Sequence, residues 1–224
     1  MRVEIWSDVV CPWCYIGKRH FELALAEFEA RDEVEVVWRS FELDPGHSHD
    51  AGSDLAEALA AKYGSSVEQA RAMIDGMAGR AAEVGLRYDL HHAIPANTFD
   101  AHRLIHLAAA HGLQDAAEER LFTAYMVESL DVGDRPTLIR LAGEIGLDEA
   151  QAEAVLAGND YGDEVRADER EAGQLGVSGV PFFVIDRAYG ISGAQPPEAI
   201  LAGLRHAYEQ QAGIPALSGQ ETSA

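Results

Sequence analysis

The sequence contains few cysteines, few basic residues and no long apolar run. Two cysteines in 224 residues exclude the small domains that are held together by several disulfide bonds. No stretch of roughly 18 uncharged apolar residues occurs, so we predict no transmembrane helix. Lys and Arg number 17 against 38 Asp and Glu, which gives a net charge of −21. This charge repels phosphate backbones and anionic lipid surfaces, so we expect neither a nucleic-acid nor a membrane partner.

A secretory leader is also missing from the residues given. Met1 and Arg2 lead directly into Val3–Trp6, which alternates like a β-strand. A signal peptide needs a basic start, about 7–15 apolar residues and a cleavage site of small residues. Because none of these is found, we expect a cytoplasmic protein.

Apolar residues make up 47% of the chain, enough for a substantial core in one domain with a large insertion or in two small domains. Residues 1–44 predict a strand, a turn, a helix and a second strand. Residues 45–158 carry helix signals with no credible strand among them, and we interpret them as an inserted all-α domain. Residues 159–212 return to mixed structure, and residues 213–224 predict a frayed tail. The sequence therefore indicates a split α/β fold around a helical insertion.

Within the first region, the strand Val3–Trp6 is followed by a helix from Cys11 to about Ala30 and a strand over Val34–Trp38. In the last region, Phe182–Ile185 predicts a buried strand after a turn-rich segment that contains Val180 and Pro181.

Both cysteines lie in the tetrapeptide Cys11-Pro12-Trp13-Cys14, at the predicted junction of the first strand and helix. Residues i and i+3 of a helix share a face, so the two sulfurs can close a short disulfide ring. Cys11 would lie at the helix N-terminus, where unpaired amides and the helix dipole favour a thiolate. Pro12 suits the first helical turn, which needs no backbone N–H donor. The tetrapeptide therefore predicts a redox-active dithiol.

The pair of cysteines also permits two other interpretations. The cysteines could be buried structural thiols, although this spacing at such a junction is typical of redox motifs. They could also ligate zinc, but two further ligands are needed and no second CxxC or close histidine pair supplies them. We therefore predict no metal site.

Three segments resemble the DsbA-like thioredoxin superfamily, in particular its FrnE-type oxidoreductases. They are SDVVCPWCYIGK at residues 7–18, NTFDAHRL at residues 97–104 and GVSGVPFF at residues 176–183. The resemblance implies a thioredoxin fold interrupted by a helical domain, in agreement with the split α/β organisation. It also implies that Val180–Pro181 is a cis peptide facing the dithiol, with the backbone of Val180 pairing with substrate.

Thiol chemistry suggests a role for each cysteine. Cys11, nearer the helix end and more exposed, would attack a disulfide, and the more buried Cys14 would resolve the mixed disulfide. Pro12 and Trp13 would contact substrate. The dipeptide that they form between the cysteines does not contain the histidine found in DsbA itself. We therefore expect a milder oxidant than DsbA.

Three more residues are candidates with less support. Asp8 could accept a proton from Cys11 or tune the pKa of its thiol, or it could simply cap the turn or helix. Asn97 and His102 would border the substrate cleft, as the resemblance implies. The i,i+4 spacing of His102 and His106 is compatible with a metal pair, but no third ligand is evident.

The leading functional hypothesis is a thiol–disulfide oxidoreductase that acts on protein or small-molecule disulfides. It needs no bound cofactor, because the dithiol carries both electrons, and glutathione is a candidate co-substrate. One alternative is a glutathione-dependent transferase or 2-hydroxychromene-2-carboxylate-type isomerase, but these relatives carry serine at the position of Cys11. The other alternative is a non-catalytic binding or chaperone module.

Overall fold

The computed structural model of this protein describes residues 1–47 and 54–212. At its centre is a four-stranded sheet in the order β2-β1-β3-β4. Strand β1 pairs in parallel with β2 and antiparallel with β3, which pairs antiparallel with β4. The strands are β1 (Arg2–Ser7), β2 (Glu35–Ser40), β3 (Phe182–Ile185) and β4 (Tyr189–Ser192).

Nine helices surround this sheet within the described residues, together with one 3-10 turn at Arg31–Glu33. They are α1 (Pro12–Ala26), α2 (Leu55–Tyr63), α3 (Val67–Glu83), α4 (Phe99–Ala110), α5 (Gln114–Met126), α6 (Arg135–Glu144), α7 (Glu149–Ala157), α8 (Gly162–Gln174) and α9 (Pro197–Ala212).

Side chains of β1 alternate between the two faces of the sheet. Both faces carry apolar side chains and both are covered by helices. Val3 and Ile5 join a core that contains side chains of α1 and α9. Trp6 points to the other face, where it packs with Ala172 of α8. The indole N–H of Trp6 also donates to the backbone carbonyl of Asp168, at 3.0 Å. Helix α8 is thereby fixed to the sheet.

Helices α2 to α7 form the insertion between the two halves of the sheet, which confirms the predicted thioredoxin fold with an all-α insertion. Their apolar core continues into the start of α1 through Cys14, Tyr15 and Ile16. The limits 1–44, 45–158 and 159–212 stay predictions, and the predicted tail at 213–224 lies outside the described residues. Among the described helices, none combines the length and apolarity needed to cross a membrane.

Two predicted boundaries differ from the structure. Helix α1 ends at Ala26 and not near Ala30, because the chain turns so that Phe28 is buried in the core of the sheet. The second strand extends beyond Trp38 to Ser40, since its pairing with β1 continues as far as Ser7 opposite Ser40. The chain that leaves β2 then passes close to the cysteines, where the Leu43 N–H donates to the Asp8 side chain.

Gly17 lets α1 pack closely against the loop that contains Pro181. A Cβ atom at Gly17 would lie 2.8 Å from Pro181 Cγ and 3.5 Å from Ala194 Cβ. The first distance is well below the roughly 3.5–4.0 Å of an ordinary carbon–carbon contact. No side chain fits here without displacing α1 or the loop.

We expect Gly17→Ala to lower the free energy of unfolding by about 1–3 kcal/mol, as overpacking does in a filled core. Gly79→Ala in α3 is the matched control, because a Cβ there meets nothing within 4 Å. That change should stabilise the helix by up to about 1 kcal/mol. Denaturant unfolding of both variants measures the difference, and equal stability would contradict the proposed packing.

Candidate active site

The two cysteines lie where β1 gives way to α1. Cys11 is the N-cap residue of α1 in an extended conformation, and Pro12 occupies the first helical turn. The Cys11 N–H donates to Asp8 O at 2.9 Å, and the Cys14 N–H donates to Cys11 O at 3.0 Å. Both cysteines are free thiols. The local sequence thus places the two thiols in the first turn of α1, where they interact with each other.

The two thiols differ in their surroundings. Cys11 is 4% exposed and Cys14 is 1% exposed, and only Cys11 lines the large groove described below. Burial raises the pKa of the Cys14 thiol well above its usual value, and the neighbouring Cys11 raises it further. The backbone N–H of Asp8 and the hydroxyl of Ser7, which face the sulfur, offset part of this rise. Cys14 therefore holds its proton firmly.

The Val180–Pro181 peptide is cis, as the resemblance implied. It lies directly across from the dithiol, where the Cys11 thiol donates to Val180 O at 3.5 Å. Pro181 is buried, and its carbonyl accepts a hydrogen bond from the Gly193 N–H at 2.8 Å. The loop is therefore fixed from β4 while Val180 borders the groove.

A groove of about 920 Å³ opens beside Cys11. Pro12, Trp13 and Val180 form one wall, and apolar side chains of α2 and α3 form the opposite wall. Trp13 is 42% exposed, so its indole is available to a bound molecule. The charged and ionisable side chains on the lining include Asp44, His47 and Lys62. A groove of this size and composition suits a largely apolar ligand.

His102 does not border this groove, contrary to the prediction. Its side chain is 1% exposed and lies behind the dithiol, where Nε2 is 3.5 Å from Asp8 Oδ1. This is an ion-pair contact, longer than a well-formed hydrogen bond. The i,i+4 spacing with His106 correctly indicates a shared helix, but His106 Nε2 faces a different carboxylate, Asp168, at 3.1 Å.

Asn97 has a local structural contact in place of the predicted position on the cleft. Its side-chain oxygen accepts a hydrogen bond from the Phe99 N–H at 3.0 Å, which helps to start α4. Its amide donates to Pro45 O at 3.4 Å, in the turn after β2. Neighbouring Pro95 and Ala96 line the groove, whereas Asn97 itself does not.

Asp8 is 1% exposed and links the dithiol to the rest of the protein. Its Oδ2 accepts a hydrogen bond from the Leu43 N–H at 2.7 Å, so it holds the segment that follows β2. Asp8 Oδ1 finds no hydrogen-bond partner within residues 1–47 and 54–212. The carboxylate is therefore held on one side and faces His102 on the other.

Two further buried acids face His102. Burial raises the pKa of Glu118 to about 8, although His102 and Lys18 lower it. Burial also raises the pKa of Glu42, against the lowering effect of its partner Arg166. Burial alone would lower the pKa of His102, but Asp8, Glu118 and Glu42 together raise it. The neighbouring carboxyl groups therefore favour the charged form of the His102 imidazole.

Tyr88 is a residue that the sequence analysis missed. Its hydroxyl donates to Pro12 O, inside the CxxC turn, at 2.7 Å. Its ring stacks on Tyr15 with centroids 6.1 Å apart. Burial raises the pKa of Tyr88, and the nearby thiols Cys11 and Cys14 add to this. The phenol therefore stays protonated as a donor, and no motif in the sequence connects it with the dithiol.

We expect Glu118→Gln to become progressively more stabilising as the pH rises from 5 to 8. A glutamate in an unfolded chain ionises near pH 4.3, whereas Glu118 in the fold keeps its proton up to about pH 8. The folded state therefore binds the extra proton in this window, and the wild type loses stability as the pH rises. Glutamine removes this loss.

The difference in unfolding free energy between Glu118→Gln and wild type should grow by roughly 1–4 kcal/mol between pH 5 and pH 8. Urea unfolding at several pH values measures it, with the exposed position Glu153→Gln as control. A difference that is constant with pH would show that Glu118 is ionised in the folded protein.

Comparisons with known proteins agree with this arrangement. The model of the DsbA-like thioredoxin domain matches residues 2–205. A probable DsbA oxidoreductase from Streptomyces coelicolor is 51% identical, with a TM-score of 0.90 over 94% of this chain and 91% of that chain.

Two more distant structures share the fold. The cytosolic disulfide reductase DsbM from Pseudomonas aeruginosa, solved with GSH, is 19% identical with a TM-score of 0.65, over 93% of this chain and 100% of that one. A 2-hydroxychromene-2-carboxylate isomerase is 14% identical with a TM-score of 0.70, over 96% of this chain and 100% of that one. The resemblance to the superfamily is confirmed, while the FrnE-type branch stays a prediction. The chain belongs to the DsbA-like thioredoxin-domain family of oxidoreductases.

Proposed function

We propose that this protein is a thiol–disulfide oxidoreductase in which Cys11 is the attacking thiol and Cys14 the resolving thiol. The observation that carries the proposal is the asymmetry of the pair. Cys11 borders the open groove, whereas Cys14 lies behind it with a raised thiol pKa. A substrate disulfide can therefore reach Cys11 before it reaches Cys14.

The exchange proceeds in two steps. The Cys11 thiolate attacks one sulfur of the substrate disulfide and forms a mixed disulfide, and the other substrate sulfur leaves as a thiolate that takes up a proton. Cys14 then loses its proton and attacks the Cys11 sulfur. The second substrate thiol is released, and the two electrons gained by the substrate come from the dithiol. Oxidation of a substrate dithiol is the same sequence in reverse.

Substrate binding follows from the walls of the groove. We propose that Trp13 and Pro12 contact apolar groups of the substrate beside its disulfide. The backbone of Val180, next to buried Pro181, provides polar groups close to Cys11. The substrate is a protein or small molecule that carries a disulfide. The protein acts in the cytoplasm, where the redox poise favours reduction or isomerisation over net oxidation.

Glutathione is proposed as the thiol co-substrate that returns the dithiol to its reduced form. The fold of this chain is similar to that of DsbM, which was solved with GSH. Lys62 and His47 on the groove lining are candidate partners for a glutathione carboxylate. No cofactor is required, because glutathione donates its electrons by the same thiol exchange.

Cysteine variants separate this mechanism from binding without turnover. With a protein disulfide such as that of insulin, Cys14→Ser should accumulate a mixed disulfide through Cys11, because the resolving step is lost. Cys11→Ser should form no adduct and should lose reductase activity. Non-reducing gels and mass spectrometry detect the adduct, and the double variant is the control. Full activity in Cys11→Ser would favour a chaperone or binding module.

The reduction potential should be more negative than the about −120 mV of DsbA. Pro12 and Trp13 between the cysteines provide no positive charge to stabilise the Cys11 thiolate, and a less stable thiolate makes a weaker oxidant. Equilibration of the two proteins with each other, followed by separation of their oxidised and reduced forms, measures the difference. A potential as high as that of DsbA would contradict this expectation.

A further inference from the structure

The main chain of Asp8 lies beside both cysteines. Its carbonyl accepts a hydrogen bond from the Cys11 N–H at 2.9 Å, and its own N–H faces the Cys14 sulfur. A small rotation of the Asp8 backbone would therefore change the polar groups that face both thiols. The orientation of this residue is set by what holds its carboxylate.

Two groups flank that carboxylate, one on each oxygen. The Leu43 N–H donates to Oδ2 at 2.7 Å, and His102 Nε2 lies 3.5 Å from Oδ1. The first contact comes from the segment after β2, and the second comes from α4 of the helical insertion. Both Asp8 and His102 side chains are 1% exposed, so water screens their interaction little.

The carboxyl groups around His102 come from three other parts of the chain. Asp8 precedes α1, Glu118 lies on α5, and Glu42 follows β2. Glu42 is paired with Arg166 of α8, and Lys18 of α1 acts on Glu118. With Glu118 protonated and Glu42 neutralised by its arginine, Asp8 is the carboxylate left to balance an imidazolium.

Unpartnered atoms mark this cluster as more than a packing contact. Neither ring nitrogen of His102 has a hydrogen-bond partner in the part of the chain that the structure describes, and the same holds for Asp8 Oδ1 and Glu118 Oε2. Buried polar groups normally find partners, and a redox or catalytic role is one of the reasons for an exception. Their position directly behind the dithiol indicates which function they serve.

We propose that His102 is a positioning residue for thiol–disulfide exchange, which acts through the Asp8 carboxylate to set the equilibrium between the dithiol and the disulfide. The proposal rests on the function proposed above. It gives the helical insertion a direct role in the redox chemistry, in addition to its role as a wall of the groove. His102 itself touches no substrate and transfers no electron.

The direction of the effect follows from charge. An imidazolium beside Asp8 neutralises a negative charge close to the cysteines, which favours a thiolate in the reduced form. His102→Gln leaves that carboxylate charge uncompensated, so the reduced form is stabilised less. The variant dithiol should therefore be oxidised more readily by oxidised glutathione.

The test measures the equilibrium in which the dithiol and one oxidised glutathione give the protein disulfide and two reduced glutathiones. His102→Gln should raise this equilibrium constant by about tenfold relative to wild type, equivalent to about 30 mV. His106→Gln is the matched control on the same helix, because its ring faces Asp168 and Ser40 and not Asp8. Its constant should stay within about twofold of the wild-type value, which is the spread left by a change of packing alone.

The outcomes are distinguishable. If the wild type does not equilibrate with glutathione at all, the proposed function fails. If the wild type equilibrates and His102→Gln has the same constant, the positioning role fails while the function stands. Equal changes in both histidine variants would also overturn the positioning role, because they would indicate general damage to α4.

A measurement on the wild type keeps the proposal falsifiable even if His102→Gln does not fold. By linkage, a histidine that favours the reduced form must itself titrate differently when the dithiol is oxidised. NMR of the imidazole should give a titration midpoint for His102 about one pH unit lower in the oxidised protein, the counterpart of a tenfold effect. An unchanged His102 midpoint would overturn the proposal.

Discussion

The close packing of α1 against the Pro181 loop is the constraint on which the site depends. At Gly17 the helix and the loop approach so closely that a single added carbon would lie 2.8 Å from Pro181 Cγ. This contact fixes the first turns of α1, and with them the position of Cys11 relative to Val180 O. The groove, the Val180 carbonyl and the Cys11 thiol are therefore held in one packed arrangement.

The helical insertion completes the site from the other side. Its apolar core includes the start of α1, so Cys14, Tyr15 and Ile16 are buried in the core of the insertion. Burial of this kind explains why the Cys14 thiol holds its proton, since a thiolate is unfavourable in an apolar setting. Tyr88 from the insertion also donates a hydrogen bond into the CxxC turn.

The polar cluster of Asp8, His102 and Glu118 behind the dithiol lowers the stability of the fold. Several unpartnered polar atoms are buried there, and each such atom costs free energy when the protein folds. A core of apolar side chains at these positions would be more stable. The presence of Asp8 and His102 at this place is understandable if their charges act on the two thiols, while the buried Glu118 keeps its proton.

The sequence predicted the features that depend on neighbouring residues. The CxxC motif at the strand–helix junction, the all-α insertion and the strand at Phe182–Ile185 follow from local spacing and periodicity. The resemblance to a family supplied the cis peptide at Val180–Pro181, which spacing alone does not reveal.

The remaining features arise from contacts between distant segments. The i,i+4 spacing of His102 and His106 indicates one helix face, but only the folded chain shows that each ring faces a different aspartate. The same is true of Tyr88, whose hydroxyl reaches Pro12 O from the segment between α3 and α4. Asn97 and His102 were assigned to the cleft by resemblance, and neither side chain lines it.

The central claim is that Cys11 and Cys14 act as one redox pair, and counting thiols tests it most directly. Wild-type protein is equilibrated with oxidised glutathione, alkylated under denaturing conditions and weighed by mass spectrometry. We expect neither cysteine to be alkylated after oxidation. The mass of the protein should fall by two hydrogens, which is the change that a single disulfide produces. Two thiols that still alkylate, or a stable glutathione adduct on one cysteine, would contradict the claim.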